Sequence, residues 1–461
     1  MQASDDPTEA RGTASGSLER PRVEAYRLLA EVAPLAEQLE ALNLSSRRPS
    51  PFDSFAYIKT FADFDEYVVP GQETLFLIAF DGDSPVGYLP LRKVPERLLG
   101  VSYNAIRFFV SHDSDRPRAV ARPEDEARCC EAFYRYLIEA ETDWSLMLLH
   151  DQDTASGLYQ PPAIPGLERY YVRHFPNNPN GTIPLPYNSL DEYLHAFNKS
   201  HRRHLEQAVR KLASAGDLEV VSSSDPSSRR DLFELYLEVD RLSWKAKVGG
   251  HIGRHPRRRA FFRSLLDTDR PMQMLVQVLL LNGAPVAGMV SGIYQNRLYA
   301  LEEGFDEACR DLSPGNAMML LFVREAIERG CEHVNMLGNY AYYKSLWHAT
   351  ITETAAVQLF RKGSLVHLKA VAGEIKRKLR PPVTQRDLDF NLARKDAGEP
   401  GEAKPERPSR IEERERAAAT LRRLEETGAT FDRLAGDALE RALPFTLRRG
   451  KAGGKHEEEK V

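Results

Sequence analysis

Seven consecutive residues, Asp311-Leu312-Ser313-Pro314-Gly315-Asn316-Ala317, stand between an apolar run and a helical pattern. A strand that delivers a glycine-containing turn to a helix start aims free backbone N–H groups and the positive end of the helix dipole at one spot. That arrangement suits an anion such as a pyrophosphate. Gly315 and Ala317 are small enough to let an anion reach the main chain. The same residues also read as a plain helix start, with Ser313 as the cap and Pro314 at the first helical position. Upstream, Glu302 and Glu303 are adjacent carboxylates in a strand pattern, so alternation puts one inward and one outward. Either the inward one has a task, or both are solvated at a sheet end. Downstream, Tyr340, Tyr342, Tyr343, Lys344 and Trp347 cluster after a strand pattern at 332–337. Lys344 and Trp347 suit an anionic or sugar-containing ligand, and an aromatic cluster also simply packs a helix onto a sheet.

Other candidates are more local. Trp244-Lys245 ahead of Gly249-Gly250-His251 reads as a binding loop or as a core Trp beside a cation. In the helical pattern at 200–213, Leu205, Val209 and Leu212 form an apolar stripe, with Lys199, Arg203 and Arg210 on the other side. A basic face of this kind is either solvated or helps hold an acidic ligand. No metal site is expected: there is no H-E-x-x-H, the His201/His204 pair stands alone, and Cys129, Cys130, Cys309 and Cys331 lack C-x-x-C spacing. The thiols read as buried and reduced, as in a cytoplasmic protein. Neither G-x-S-x-G nor a Walker motif occurs.

The elements that must position these residues come in two similar sets. Leu75 to Leu91 reads strand, Asp81-Gly82 turn, strand with Pro85-Val86; Met274 to Ile293 reads strand, Asn282-Gly283 turn, strand with Pro285-Val286. Asp-Gly and Asn-Gly between apolar runs predict hairpins, because the turn residues must tolerate positive φ. Each hairpin is followed by strand, helix and strand: 105–110, 123–140 and 144–150 in the first half, and 297–305, 316–329 and 332–337 in the second. This predicts an internal duplication of a mixed α/β unit.

Bulk properties set the outer limits. The 461 residues, 42% hydrophobic, leave room for two or three domains. With 63 basic and 67 acidic side chains and a net charge of -4, no global field draws the chain to DNA or an anionic membrane. The first twenty residues are polar without an apolar h-region and read as a disordered leader. The longest apolar run, Met272 to Val290, is broken by Gln273, Gln277, Asn282, Gly283 and Pro285, so stable membrane insertion is not expected. From Lys376, Pro381-Pro382 and the stretch KDAGEPGEAKPERPS read as a linker. A helix from Arg410 to Glu426 follows, with Ile411, Ala418, Leu421 and Leu424 as its apolar residues; it is a candidate docking element for a protein partner, ahead of a disordered end.

Five stretches of the second half together resemble the GNAT acyltransferase superfamily, in particular its BioF-like and CelD-like branch related to the Fem-type transferases. They are Lys199-Ser200-His201-Arg202-Arg203, Ser243-Trp244-Lys245 with Gly249-Gly250, Asn282 to Ala287, Ser313 to Ala317, and Leu337-Gly338 through Trp347. The first half resembles the amino-terminal half-module of the same branch more loosely. The resemblance implies two tandem GNAT-like α/β (α+β) modules, at 21–180 and 181–375, with a leader at 1–20 and a linker, helix and tail at 376–461. It implies acyl-CoA or acetyl-CoA as co-substrate, with its pyrophosphate against Ser313, Pro314, Gly315, Asn316 and Ala317. Leu312 departs from the Q/R-x-x-G-x-G/A pattern, standing where a basic or amide side chain is usual. The first module's turn, Ala121-Arg122-Pro123-Glu124-Asp125, lacks glycine and adds two carboxylates, so no cofactor site is expected there.

Under that resemblance Glu302 or Glu303 would be the base that takes the acceptor's proton, and Tyr343 the acid for the leaving thiolate. Arg203, Trp244, Lys245, Lys344 and Trp347 would face the substrate. The implied function is direct transfer of an acyl group from acyl-CoA to a small-molecule or sugar-linked amine by a cytoplasmic bacterial-type enzyme. Two alternatives stand beside it: a Fem-type transfer from aminoacyl-tRNA onto a cell-wall precursor, and a non-catalytic GNAT pair in polysaccharide synthesis.

Overall fold

Two hairpins with the same irregularity organise the molecule, as seen in a computed structural model that describes residues 20–111, 113–338, 342–378 and 409–446. Strands β2 (Glu73–Asp81) and β3 (Ser84–Leu98) form the first, and β10 (Gln273–Leu281) and β11 (Ala284–Tyr294) the second. In the first, Ala79 pairs with Gly87 and Phe80 with Pro85; in the second, Leu279 pairs with Ala287 and Leu280 with Pro285. Val86 and Val286 are therefore the extra residue of a β-bulge at the same place, beside a proline that has no N–H to give a ladder. Asn282 and Gly283 both have positive φ, 51° and 75°, as a two-residue turn of this hand requires. In the first hairpin the turn is shifted by one from the expected Asp81-Gly82: Asp81 pairs with Ser84, and Gly82-Asp83 turn the chain.

Each hairpin lies in an eight-stranded mixed sheet. The first runs β1 (Arg22–Tyr26), β2, β3, β4 (Val101–Phe108), β6 (Leu146–Gln152), β15 (Ala355–Arg361), β7 (Tyr170–Pro176), with β5 (Val120–Ala121) on β3. The second runs β14 (Thr350–Thr352), β8 (Asn180–Pro184), β13 (His333–Asn335), β12 (Arg297–Phe305), β11, β10, β9 (Leu218–Ser223), β16 (Asp432–Ala435). The pairs β4/β6 and β12/β13 are parallel. The fold is thus two mixed sheets flanked by helices. Strand β15 follows β14 of the second sheet in sequence yet inserts between β6 and β7 of the first, and the helix Leu365–Lys378 packs on it. Alternation of side chains identifies a strand without naming its partner, so residues 355–375, expected with the second module, go with the first sheet instead.

The two units share a core. Phe52 stands edge-on to Tyr299 at 5.5 Å between ring centres, and Tyr57 to Phe261 at 5.5 Å. Asn43 donates to the Tyr294 hydroxyl at 2.9 Å, and that hydroxyl donates to Glu40 at 2.8 Å. This packed boundary fixes the cleft described below.

The helix Arg410–Glu426 opens with a reciprocal cap between Ser409 and Glu412. Its inward residues are Glu413, Ala417, Thr420, Leu421 and Leu424, whereas Ile411 is 65% exposed and Ala418 is exposed. The inward stripe thus differs from the expected one at Ile411 and Ala418. The helix packs on its own chain, and β16 then extends the second sheet. No helix among the described residues is long and apolar enough to cross a membrane.

Candidate functional site

The site begins where two parallel strands part. β12 and β13 pair only from Arg297/His333 to Tyr299/Asn335, so the edge of β12 from Ala300 onward is left without that neighbour. On the other edge Val290 faces Glu302 and Ser291 faces Ala300, which makes Leu301 a bulged extra residue. A cleft that follows a strand edge meets side chains from both of its faces. Accordingly Glu302 and Glu303 both line one cavity of about 270 Å³, where simple alternation would have separated them.

A second cavity, of about 430 Å³, lies against the start of the helix Pro314–Glu328. It is bordered by Ser313, Pro314, Gly315 and Asn316, by Arg310, and by Trp347. Ser313 is left-handed at φ 58° and its side chain makes no capping hydrogen bond, so the plain-cap reading of this turn fails. Ala317 is fully buried and sits in the core behind the turn, with its N–H on Ser313 O at 3.3 Å. A Cβ on Gly315 would lie 3.1 Å from the Phe305 ring, so glycine here also lets the helix start approach β12. Trp244 and Glu303 border both cavities.

The remaining wall of the smaller cavity comes from the first unit: Asp113, Ser114 and Asp115 from the loop before β5, and Asp151 from β6. These carboxylates differ in how they are matched. Glu302 accepts from Lys245 and Arg258, and from the Tyr236 hydroxyl at 3.3 Å. Burial drives its carboxyl up, yet the two cations outweigh burial and hold it below the ordinary range. Lys245, buried as well, is held above its usual value by Glu302 and Asp240 against the same penalty. Arg258 spans the units, donating to Asp113 at 2.6 Å as well as to Glu302. Asp115 accepts from Asn180 at 2.9 Å, Asn335 at 3.2 Å and Arg116 at 3.1 Å. Asp151 is pushed up to about 6, by burial first and by the charge of Asp115 second. Lys344, pushed down by burial, donates to the carbonyls of Met336 at 2.6 Å and Gly338 at 2.8 Å.

Residues 199–345 match the family model described as an acetyltransferase (GNAT) domain. This stretch of the chain is a GNAT acetyltransferase domain. Among solved structures the chain is similar to a conserved protein of unknown function from Bacteroides thetaiotaomicron (12% identity, 74% of this chain and 100% of that one, TM-score 0.45). It is also similar to a tandem GNAT protein from the clavulanic acid biosynthesis pathway (12%, 74% and 99%, 0.41) and to FemX (13%, 72% and 96%, 0.37). No curated protein matches.

The GNAT domain holds most of the residues singled out from sequence, and it sorts them. Glu302, Glu303, Trp244, Lys245 and Lys344 converge on the smaller cavity, and Ser313 to Asn316 on the larger. Trp347 is 1% exposed and packs in the core while bordering the larger cavity. Arg203 is exposed on the helix Lys199–Ala215 and borders none of these cavities. Tyr340 and the side chain of Tyr343 lie outside the described residues. The sequence reading passed over Arg310, Arg258, Asp113, Asp115 and Asp151. Arg310 places a cation at the larger cavity two residues before Leu312. The expectation that the histidines lack H-x-x-x-H spacing is wrong at His251 and His255; His255 binds Gly249 O at 2.8 Å through Nε2 and faces Glu66 through Nδ1. Among the described residues no three His, Cys, Asp or Glu side chains are grouped as a metal site would need.

Proposed function

We propose that the chain is an N-acyltransferase that moves an acyl group from acyl-CoA to a small-molecule or sugar-linked amine by direct attack. The observation that carries this reading is the junction of the two cavities at Glu303 and Trp244. One cavity offers a helix start for the phosphates of a donor, the other an acidic cleft for an amine, and a half-buried carboxylate stands between them. The fit to acyl-CoA rests on the turn itself: the helix start lacks a side-chain cap, and Arg310 stands beside it. When bound, acyl-CoA supplies a thioester carbonyl activated toward an amine.

The chain's own residues would then do three things. The amides at Gly315 and Asn316 hold negative charge at the helix start. Glu303 receives the proton that the acceptor ammonium must lose before its nitrogen can attack. Glu302 cannot share that task, because Lys245 and Arg258 already hold it as a carboxylate. No cysteine borders either cavity among the described residues, which supports direct attack over a thioester on the protein.

Calorimetric titration with acetyl-CoA and longer acyl-CoAs tests the reading, using the wild type and Gly315→Glu. Saturable binding that the variant abolishes is the expected result. Binding that survives Gly315→Glu would move the donor elsewhere. Absence of binding to every acyl-CoA would overturn the reading and direct the search to aminoacyl-tRNA donors or a non-catalytic role.

A further inference from the structure

Three carboxylates of the cleft wall are matched by cations from within. Asp113 is paired with Arg258, Asp115 with Arg116, and Glu302 with Lys245 and Arg258. The Lys344 ammonium is directed at main-chain carbonyls. Asp151 borders the same cavity, and no Lys or Arg lies within 4.0 Å of it among the described residues. Its neighbours are Asn177, whose amide donates to Oδ1 at 2.7 Å, the Asn178 backbone, the Thr354 hydroxyl, Asp115, and His150 at 3.8 Å. Burial pushes His150 down to about 4, so near neutrality it brings no charge. Asp151 also has a left-handed backbone at φ 53° at the end of β6, a conformation that Asp and Asn tolerate better than most non-glycine residues.

We propose that Asp151, supplied by the first unit, seats the ammonium group of the acceptor in the cleft that the GNAT domain closes with Glu303. This deepens the acyltransferase reading and rests on it for the identity of the acceptor. A cation entering the cavity would supply Asp151 with the counter-charge it lacks within 4.0 Å among the described residues, in surroundings where a charge-assisted hydrogen bond is stronger than in water. The class of ligand is therefore a primary amine carried as its ammonium. Asp151 acts as a positioning residue; the bond-making step remains with Glu303 and the thioester.

The test uses the full chain and spermidine as a cationic amine probe, followed by calorimetry and by fluorescence of the half-exposed Trp244. Asp151→Asn keeps the size and the tolerance of left-handed backbone while removing the charge. Wild type should bind spermidine saturably, and Asp151→Asn should weaken it by about tenfold or more. Asn177→Ala, which loosens the carboxylate without removing it, should cost less. Wild-type affinity should also weaken as pH falls below about 6, where Asp151 takes up a proton, and the Asn variant should lack that dependence. The acetyl-CoA affinity should be the same in all three proteins, and near-ultraviolet circular dichroism should be unchanged. Spermidine binding that is unaltered in Asp151→Asn, or that keeps its pH dependence there, overturns the inference. Failure of wild type to bind acetyl-CoA would instead strike the acyltransferase reading, while the spermidine comparison would still decide the role of Asp151.

Discussion

The two units reach the same corner by the same hairpin and then diverge at one strand. In the GNAT domain, β12 continues from Ala300 through the bulged Leu301 to Gly304, which pairs with Gly288. In the first unit, β4 stops at Phe108 opposite Leu91, and the chain returns to the hairpin only at Val120, opposite Tyr88. Aligned on their bulges, Leu91 corresponds to Ser291 and Tyr88 to Gly288. Where the GNAT domain has a single extra residue, the first unit therefore has a loop, and that loop carries Asp113, Ser114 and Asp115 into the other unit's cleft. Counting back along the register puts Ala119 in the place of Glu303 and Arg118 in that of Glu302. The helix that follows is closed down: Arg128 ties Asp125 and Asp81 together, and Cys129 Sγ lies 2.9 Å from where a Cβ on Gly87 would be. One unit keeps an open helix start, and the loop that interrupts the corresponding strand of the other lines the smaller cavity.

The sharpest way to break that comparison is to give the GNAT domain the first unit's residue. Glu303→Ala should lower transfer to the accepted amine by about 100-fold or more, since general-base catalysis contributes at least that much. Acyl-CoA affinity should change little. Thiol release under saturating donor measures it, and a loss under tenfold would remove Glu303 as the base.

The next largest effect concerns the ion pairs that both units keep at the neighbouring position. Arg118 donates to Asp53 at 2.9 Å in the first unit, and Glu302 accepts from Lys245 and Arg258 in the GNAT domain. Glu302→Gln leaves buried cations short of a partner and should cost about 3 kcal/mol in denaturant unfolding. Because the folded carboxyl is held below its ordinary value, its contribution is present above the unfolded pKa and is lost as pH falls through the folded one. The variant should therefore show a flatter acid limb of stability below about pH 4.3. Equal acid limbs would mean that the pair is matched no better in the folded chain than in water.

How much of this the sequence disclosed follows from the range over which each signal acts. Asn282-Gly283 and the Pro-Val pairs after both turns are local, and they were enough to place two hairpins and a duplicated α/β plan. The helix start at Pro314 was legible for the same reason, although Ser313 proved to be a strained turn residue and not a cap. The bulge at Leu301 was not legible, because a β-branched or apolar run gives no sign of where one residue is left over; hence only one of Glu302 and Glu303 was expected in the cleft. Lys344 and Trp347 each border a cavity, but nothing local says that the first would be satisfied by carbonyls and the second buried. Asp113, Asp115 and Asp151 reach the cleft from the other unit, and β15 crosses between sheets. Such contacts depend on partners hundreds of residues away, which periodicity cannot name. The run Asp113-Ser114-Asp115 between two strand patterns was the one available hint.

The smallest effect sharpens the likeness between the hairpins. Gly82 at φ 56° and Gly283 at φ 75° are both left-handed, where a Cβ costs about 1–2 kcal/mol. A Cβ on Gly82 would meet nothing within 4 Å, and one on Gly283 only Arg414 Cγ at 3.8 Å, so neither adds a clash. Gly82→Ala and Gly283→Ala should therefore destabilise by nearly the same amount, about 1 kcal/mol each. Thermal or urea unfolding of the two variants compares them directly. The second turn has an additional anchor: Asn282 donates its N–H to Asp217 O at 2.7 Å and accepts from the Asp217 N–H at 2.9 Å. If Gly283→Ala cost clearly more than Gly82→Ala, strain at the glycine would be reaching that anchor and the helix above it. The two hairpins would then be alike in register but not in how rigidly the rest of the chain holds them.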